Sequence, residues 1–287
     1  MASKFTRLTI VGLGLMGGSL AKACRRSSQL EFIAGVDIDV RALESARQVV
    51  DLATASLREG VAQSDLVVVA VPVGSIAPVI KEMRPHLSPN VVVTDLGSVK
   101  SAVMEDAQRI LEGRTPFIGV HPIAGSERSG FEASSAELFD GKLCVLTPRR
   151  ETDPDVLKRV EGFWQDLGAN TVLMDEREHD RIFAAVSHLP HLLACALVNM
   201  ISQLPDDGDN LFAYRGGGLS DFTRIAASSP VMWRDICLLN RECILEMIER
   251  YQSCLEELRE ALQRRDADRL IDRLEKARSC KLRLIGG

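Results

Sequence analysis

Leu8-Thr-Ile-Val11-Gly12-Leu-Gly14-Leu-Met-Gly17 is the stretch on which the fold turns. Four residues suited to a buried strand run directly into G-x-G-x-x-G, and a helical pattern opens behind the third glycine. Gly12 permits the tight turn, Gly14 lets a pyrophosphate approach the backbone, and Gly17 lets helix and strand pack closely. The start of that helix offers unpaired N–H groups and partial positive charge to an anion. Asp37 stands 20 residues past Gly17, at the end of the next apolar run. Its carboxylate suits a ribose diol and repels a 2′-phosphate, so NAD is expected over NADP. Arg41 nearby keeps the NADP alternative open, and Asp39 is the better candidate for a helix cap.

Working outward, short β-branched runs alternate with helical stretches as far as residue 175. Strands are expected at 8–11, 32–36, 66–71, 91–94, 117–120, 144–147 and 171–174, and helices at about 17–27, 40–49, 75–86, 99–111 and 154–167. The strands are nearly all apolar, as strands buried on both faces must be. After Asp175 the period changes: a segment without charge (182–205), a glycine break (216–218) and a long amphipathic pattern from Trp233 follow. The expected architecture is α/β: a Rossmann-type, mostly parallel sheet domain (1–175), followed by an all-helical domain (176–287).

The chain of 287 residues is 46% hydrophobic and 26% charged, within the range of a folded soluble protein. A formal charge of -5 gives no basic excess, so no nucleic-acid partner is expected. Seven cysteines without a C-x-x-C pair read as thiols in a reducing, cytoplasmic compartment, neither a disulfide nor a zinc framework. Lys4 and Arg7 ahead of an apolar stretch imitate a secretory signal, but the glycines within that stretch suit a turn. The charge-free segment is long enough to cross a bilayer, yet it contains Ser187, His188, Pro190, His191, Asn199, Ser202 and Gln203. Such residues are costly in hydrocarbon and natural in a helix lining a site, so no membrane partner is expected.

Chemistry-bearing residues gather beyond the strand ends. Asp95-Leu-Gly97-Ser98-Val-Lys100 follows one strand and His121-Pro-Ile-Ala-Gly125 the next, where ligands collect in a doubly wound sheet. Ser98 suits either a substrate contact or a helix cap. His121 precedes Pro122 and a glycine-bearing loop, and its imidazole can take a proton from a substrate hydroxyl near neutral pH. In Ser187-His188-Leu-Pro190-His191, two histidines three apart can share a helix face. Metal is the weaker reading, for want of a third ligand, and a hydrogen-bonded core histidine is the alternative. Arg224 brings a guanidinium fork suited to a carboxylate, unless Asp221 three residues away takes it. The long helical pattern needs a surface to bury against, in its own domain or in a second subunit.

Together V-G-L-G-L-M-G-G-S-L, D-L-G-S-V-K, G-V-H-P-I-A-G-S-E, S-H-L-P-H and G-L-S-D-F-T-R-I-A followed by M-W-R-D-I resemble the prephenate and arogenate dehydrogenase family. The resemblance implies NAD-dependent oxidative decarboxylation of a cyclohexadienol in tyrosine biosynthesis. It makes His121 the catalytic histidine at the ring hydroxyl, assisted by Ser98, with Arg224 gripping a carboxylate. Ser187, His188, His191 and Trp233 would line the pocket, Glu127 would stand at its entrance, and Gly217 would lie near it across a subunit boundary. Gly12, Gly14, Leu15, Met16, Gly17, Asp37 and Val71 would contact the cofactor. A homodimer through the helical domain and no metal are implied. A β-hydroxyacid dehydrogenase would instead need a lysine in the helical domain, and residues 183–214 contain none. A dinucleotide-binding sensor without turnover would leave His121, the histidine pair and Arg224 without a shared purpose.

Overall fold

A computed structural model describes residues 4–27, 30–125, 128–204 and 211–285. The chain forms two compact units, Met1–Asn240 and Arg241–Gly287. In the first, β1 (Arg7–Val11), β2 (Phe32–Val36), β3 (Leu52–Thr54), β4 (Leu66–Val69), β5 (Val92–Asp95), β6 (Phe117–Pro122), β7 (Leu143–Thr147) and β8 (Asn170–Leu173) form one sheet, ordered β3-β2-β1-β4-β5-β6-β7-β8. All pairings are parallel except β6 with β7. The seven expected strands are present, and β3 is the addition. Its three residues at the sheet edge are too short to show a period.

Between the strands run α1 (Leu15–Ser27), α2 (Val40–Ala46), α3 (Leu57–Val61), α4 (Val73–Met83), α5 (Ser101–Leu111) and α6 (Pro154–Asp166). Side chains of β4 alternate between two cores: Leu66 and Val68 pack with Leu8, Ile10 and Leu20, while Val67 and Val69 pack with Ile76, Ile80 and Val103. The strand order reverses between β1 and β4, so the carboxyl ends of those strands open a crevice for a ligand.

From Glu176 the described residues are helical: α7 (Glu176–Phe183), a π turn (Ala184–His188), α8 (Leu189–Ser202), α9 (Gly217–Thr223), a 3-10 turn (Arg224–Ala227) and α10 (Pro230–Leu239). Pro190 has no N–H to close a helical bond, and the widened turn ends just before it. α7 packs on α5 and α10 on α4, with Ile236 joining the core beneath α4. The second unit is α11 (Arg241–Arg264) and α12 (Ala267–Ile285), cross-linked by Arg269–Glu260 and Arg273–Glu257.

Candidate active site

The glycine turn is built as its spacing requires. Gly12 adopts φ +99, and a Cβ there would lie 2.6 Å from the Ala70 carbonyl oxygen. A Cβ on Gly17 would stand 1.8 Å from the Gly12 carbonyl oxygen, so α1 could not start where it does. A Cβ on Gly14 would meet nothing within 4 Å, because this residue faces the cavity. A space of about 400 Å³ is walled by Gly14, Leu15, Met16, Val71 and Ser98 on the sheet side, with Ser229, Met232 and Ile236 opposite. A neighbouring space of about 300 Å³ holds Asp37, Asp39 and Arg41 beside Gly14. Asp37 accepts from Leu13 N at 2.6 Å and Asp39 N at 2.8 Å, which fixes its carboxylate at the edge of that space. Backbone approach at Gly14, a helix start and an oriented acid together fit a dinucleotide.

His121 lies inside β6, paired with Val145 of β7, rather than in the loop after the strand. Antiparallel pairing with β7 carries the strand through Pro122, beyond the apolar run that marks it in the sequence. Its Nδ1 is 2.8 Å from His179 Nε2, and His179 Nδ1 is 2.8 Å from Asp180 Oδ1. Phe183 stands against both rings, at centroid distances of 4.7 and 4.4 Å. Asp180 also accepts Lys100 N and Ser101 N, each at 2.8 Å, and so caps α5. The cap therefore comes from 80 residues downstream, and Ser98 is free of that duty. Burial works to raise the Asp180 carboxyl, but its bonds from His179, Lys100 and Ser101 outweigh that and hold it below the usual range.

An ionised Asp180 only accepts, which sets every proton in the series. His179 must carry its proton on Nδ1, its Nε2 therefore accepts, and His121 must carry its proton on Nδ1. The lone pair of His121 Nε2 is left for a reacting group. Burial, with the nearby His179, Lys100 and His188, keeps His121 neutral well below its ordinary range. Burial lowers His179 as well, partly countered by Asp180.

The backbone under His121 is pinned by an ion pair that the sequence quotes but does not reveal. Lys100 and Asp95 are fully buried and in contact. Lys100 Nζ also donates to Val120 O at 2.9 Å, and Asp95 accepts Gly97 N at 2.8 Å and Val120 N at 3.3 Å. Regular β5–β6 pairing spans two residues only, and this pair extends the tie to the residue before His121.

His188, His191 and Trp233 form a second cluster. His191 stacks on Trp233 at 3.6 Å between centroids, and His188 meets the same indole edge-on at 6.0 Å. Burial pushes His188 down to about 4 and lowers His191 as well, so both rings are neutral at pH 7. His188 Nε2, His191 Nδ1 and Trp233 Nε1 are buried without a hydrogen-bond partner. Each such orphan costs about 1–3 kcal/mol. Three in one cluster suit a polar ligand. No group of three or more metal-ligating side chains occurs among the described residues.

Ser187 is half-buried on the π turn beside His188. Arg224 is exposed on the 3-10 turn that packs against α8, and Gly217 is exposed at the start of α9; neither walls the 400 Å³ cavity. Glu127 lies outside the described residues. Sequence reading passed over His179 and Asp180, which sit in a charged stretch that looks like the solvated start of a helix.

Comparison with known proteins gives the family. Residues 20–173 match the family model "Prephenate dehydrogenase, nucleotide-binding domain", and residues 175–276 match "Prephenate dehydrogenase, dimerization domain". The chain is 33% identical to the prephenate dehydrogenase of Bacillus subtilis, over 92% of this chain and 72% of that one. It is 32% identical to the cyclohexadienyl dehydrogenase of Zymomonas mobilis, over 98% of this chain and 96% of that one. The crystal structure of Aquifex aeolicus prephenate dehydrogenase, in complex with hydroxyphenyl propionate and NAD+, is similar with a TM-score of 0.92. It is 38% identical and aligns over 99% of this chain and 100% of that one. With the two family models matching residues 20–173 and 175–276, and a 32% identical relative covered over 96% of its length, this chain belongs to the prephenate dehydrogenase family.

Proposed function

We propose that this chain oxidatively decarboxylates prephenate to 4-hydroxyphenylpyruvate, with His121 as the base at the ring hydroxyl. The observation that carries the assignment is the order of donors from Asp180 through His179, which leaves an acceptor at His121 Nε2. NAD, held by Gly12, Gly14, Leu15, Met16, Gly17, Asp37 and Val71, supplies the hydride acceptor. His121 takes the hydroxyl proton at Nε2 and can pass its Nδ1 proton to His179, so positive charge comes to rest beside Asp180. That displacement lets a base of low proton affinity accept a proton in a buried place. Loss of the ring carboxylate as carbon dioxide makes the ring aromatic, which drives the reaction forward.

Ser98, on the wall of the 400 Å³ cavity, is assigned to share the hydroxyl. Arg224 is assigned to a substrate carboxylate and Glu127 to the entrance, with Ser187, His188, His191 and Trp233 along the substrate. The unpartnered indole N–H of Trp233 and the unpartnered ring nitrogens of His188 and His191 support this, since prephenate brings two carboxylates and a keto oxygen. The chain is read as a cytoplasmic homodimer through its helical part. Exposed Leu255, Leu262, Ile271 and Leu274 on α11 and α12 support the dimer, and seven cysteines without a C-x-x-C pair support the reducing compartment. The cyclohexadienyl relative supports a second reading, in which arogenate is accepted too.

The test is reduction of NAD+ followed by absorbance with prephenate or arogenate, for the native enzyme and His121→Asn. Expected is turnover with prephenate that falls by about 10²–10⁴ in the variant, with little change in KM. Turnover by His121→Asn within threefold of the native enzyme would remove this residue from the mechanism.

A further inference from the structure

Asn240, at the carboxyl end of α10, is buried at 4% exposure, and its side-chain amide faces two groups of different kind. Nδ2 is 2.8 Å from the backbone oxygen of Asp180 and 3.1 Å from His188 Nδ1. A carbonyl oxygen only accepts, so the atom facing it must be the NH₂ group, and the orientation of the amide follows. One proton of that NH₂ goes to Asp180 O and the other to His188 Nδ1. His188 Nδ1 therefore accepts, and a neutral His188 carries its proton on Nε2. That Nε2 is the buried atom left without a partner beside Trp233 and His191.

We propose that Asn240 is a positioning residue that fixes His188 as the Nε2–H tautomer, turning it into a one-way donor to substrate oxygen. Such a donor binds a keto or carboxylate oxygen and offers nothing to an ammonium group, so it favours the keto acid over the amino acid at that point. The proposal rests on the reading of the His188–His191–Trp233 cluster as part of the substrate pocket. The same amide bonds Asp180 O, so it also joins α10 to the helix that carries the His179–Asp180 pair.

The experiment is long-range ¹H–¹⁵N spectroscopy on ¹⁵N-histidine-labelled, NAD-loaded enzyme, with steady-state kinetics on prephenate. In the native enzyme near pH 8, His188 is expected protonated on Nε2 and bare on Nδ1. This measurement needs no variant, and a proton on Nδ1 would overturn the proposal. In Asn240→Asp the carboxylate draws a proton to Nδ1, and KM for prephenate is expected to rise about tenfold with kcat within about threefold. A Nδ1 that stays bare in the variant would also overturn it. So would an unchanged KM once the tautomer has moved. A parallel His188→Leu variant locates that last failure: if its KM is unchanged too, substrate does not rest on His188, and the pocket reading fails independently of the tautomer.

Discussion

Replacing Lys100 by Met keeps the length of the buried side chain and removes its charge, leaving the Asp95 carboxylate with two backbone donors and no counter-ion. A carboxylate stranded in this way escapes by taking up a proton. From an ordinary carboxylate value of about 3.9, that costs about 1.4 kcal/mol per pH unit, or about 5 kcal/mol near pH 7.5 and about 1.5 kcal/mol near pH 5. The first figure is an upper bound and agrees with the roughly 3–5 kcal/mol lost when one partner of a buried pair is removed. The sign is distinctive: the folded variant binds a proton that its unfolded chain releases above about pH 4, so its deficit grows as pH rises. Asp95→Asn strands the ammonium instead, and its deficit grows as pH falls. In the double variant neither charge is stranded, and the loss is expected to be well below the sum of the two. Urea unfolding followed by tryptophan fluorescence, at pH values between about 5 and 8, measures all three. A Lys100→Met deficit that does not change with pH, or one below about 1 kcal/mol near pH 7.5, would refute the reasoning.

Because His121 stays neutral well below its ordinary range, the acid limb of the kcat/KM profile should lie well below pH 6.5, and a limb at or above 6.5 would count against His121 as the base. His188 resists protonation to about 4 when folded, whereas the unfolded chain binds that proton near 6.5. The unfolded state thus holds more protons in this window, and stability should fall by up to about 3 kcal/mol as pH drops through it, with His121, His179 and His191 adding loss of the same sign. Urea midpoints at successive pH values read this directly. Asp37→Ser should weaken NAD about tenfold and narrow its advantage over NADP, Arg41 lining the same space; KM values for the two cofactors test it. Gly17→Ala drives a methyl into the Gly12 carbonyl and should cost several kcal/mol or abolish NAD binding, as titration calorimetry and thermal melting would record.

What was legible in the sequence was what local rules write. Strand, glycine turn, helix and acid follow one another within the first 37 residues, so the glycine turn and the elements around it are legible from local rules. The histidine pair stood out because it interrupts an apolar run. His179 and Asp180 did not, since they carry their signal only in company with His121 and the start of α5, 58 and 80 residues away. β3 escaped for want of length. The end of β6 is not legible locally because its last pairs come from β7 running the opposite way, a long-range partner that no periodicity records.

The spacing of D-L-G-S-V-K acquires a reason from these contacts. Asp95 ends β5, and Lys100, five residues on, turns back to meet it while its own N–H marks the start of α5. Through its ammonium Lys100 holds Val120, and with it the strand that carries His121. Through its backbone N–H it holds Asp180, and with it the ring of His179 against His121. One residue thus ties down both the backbone before His121 and, through Asp180 and His179, its imidazole, from opposite sides of the same turn.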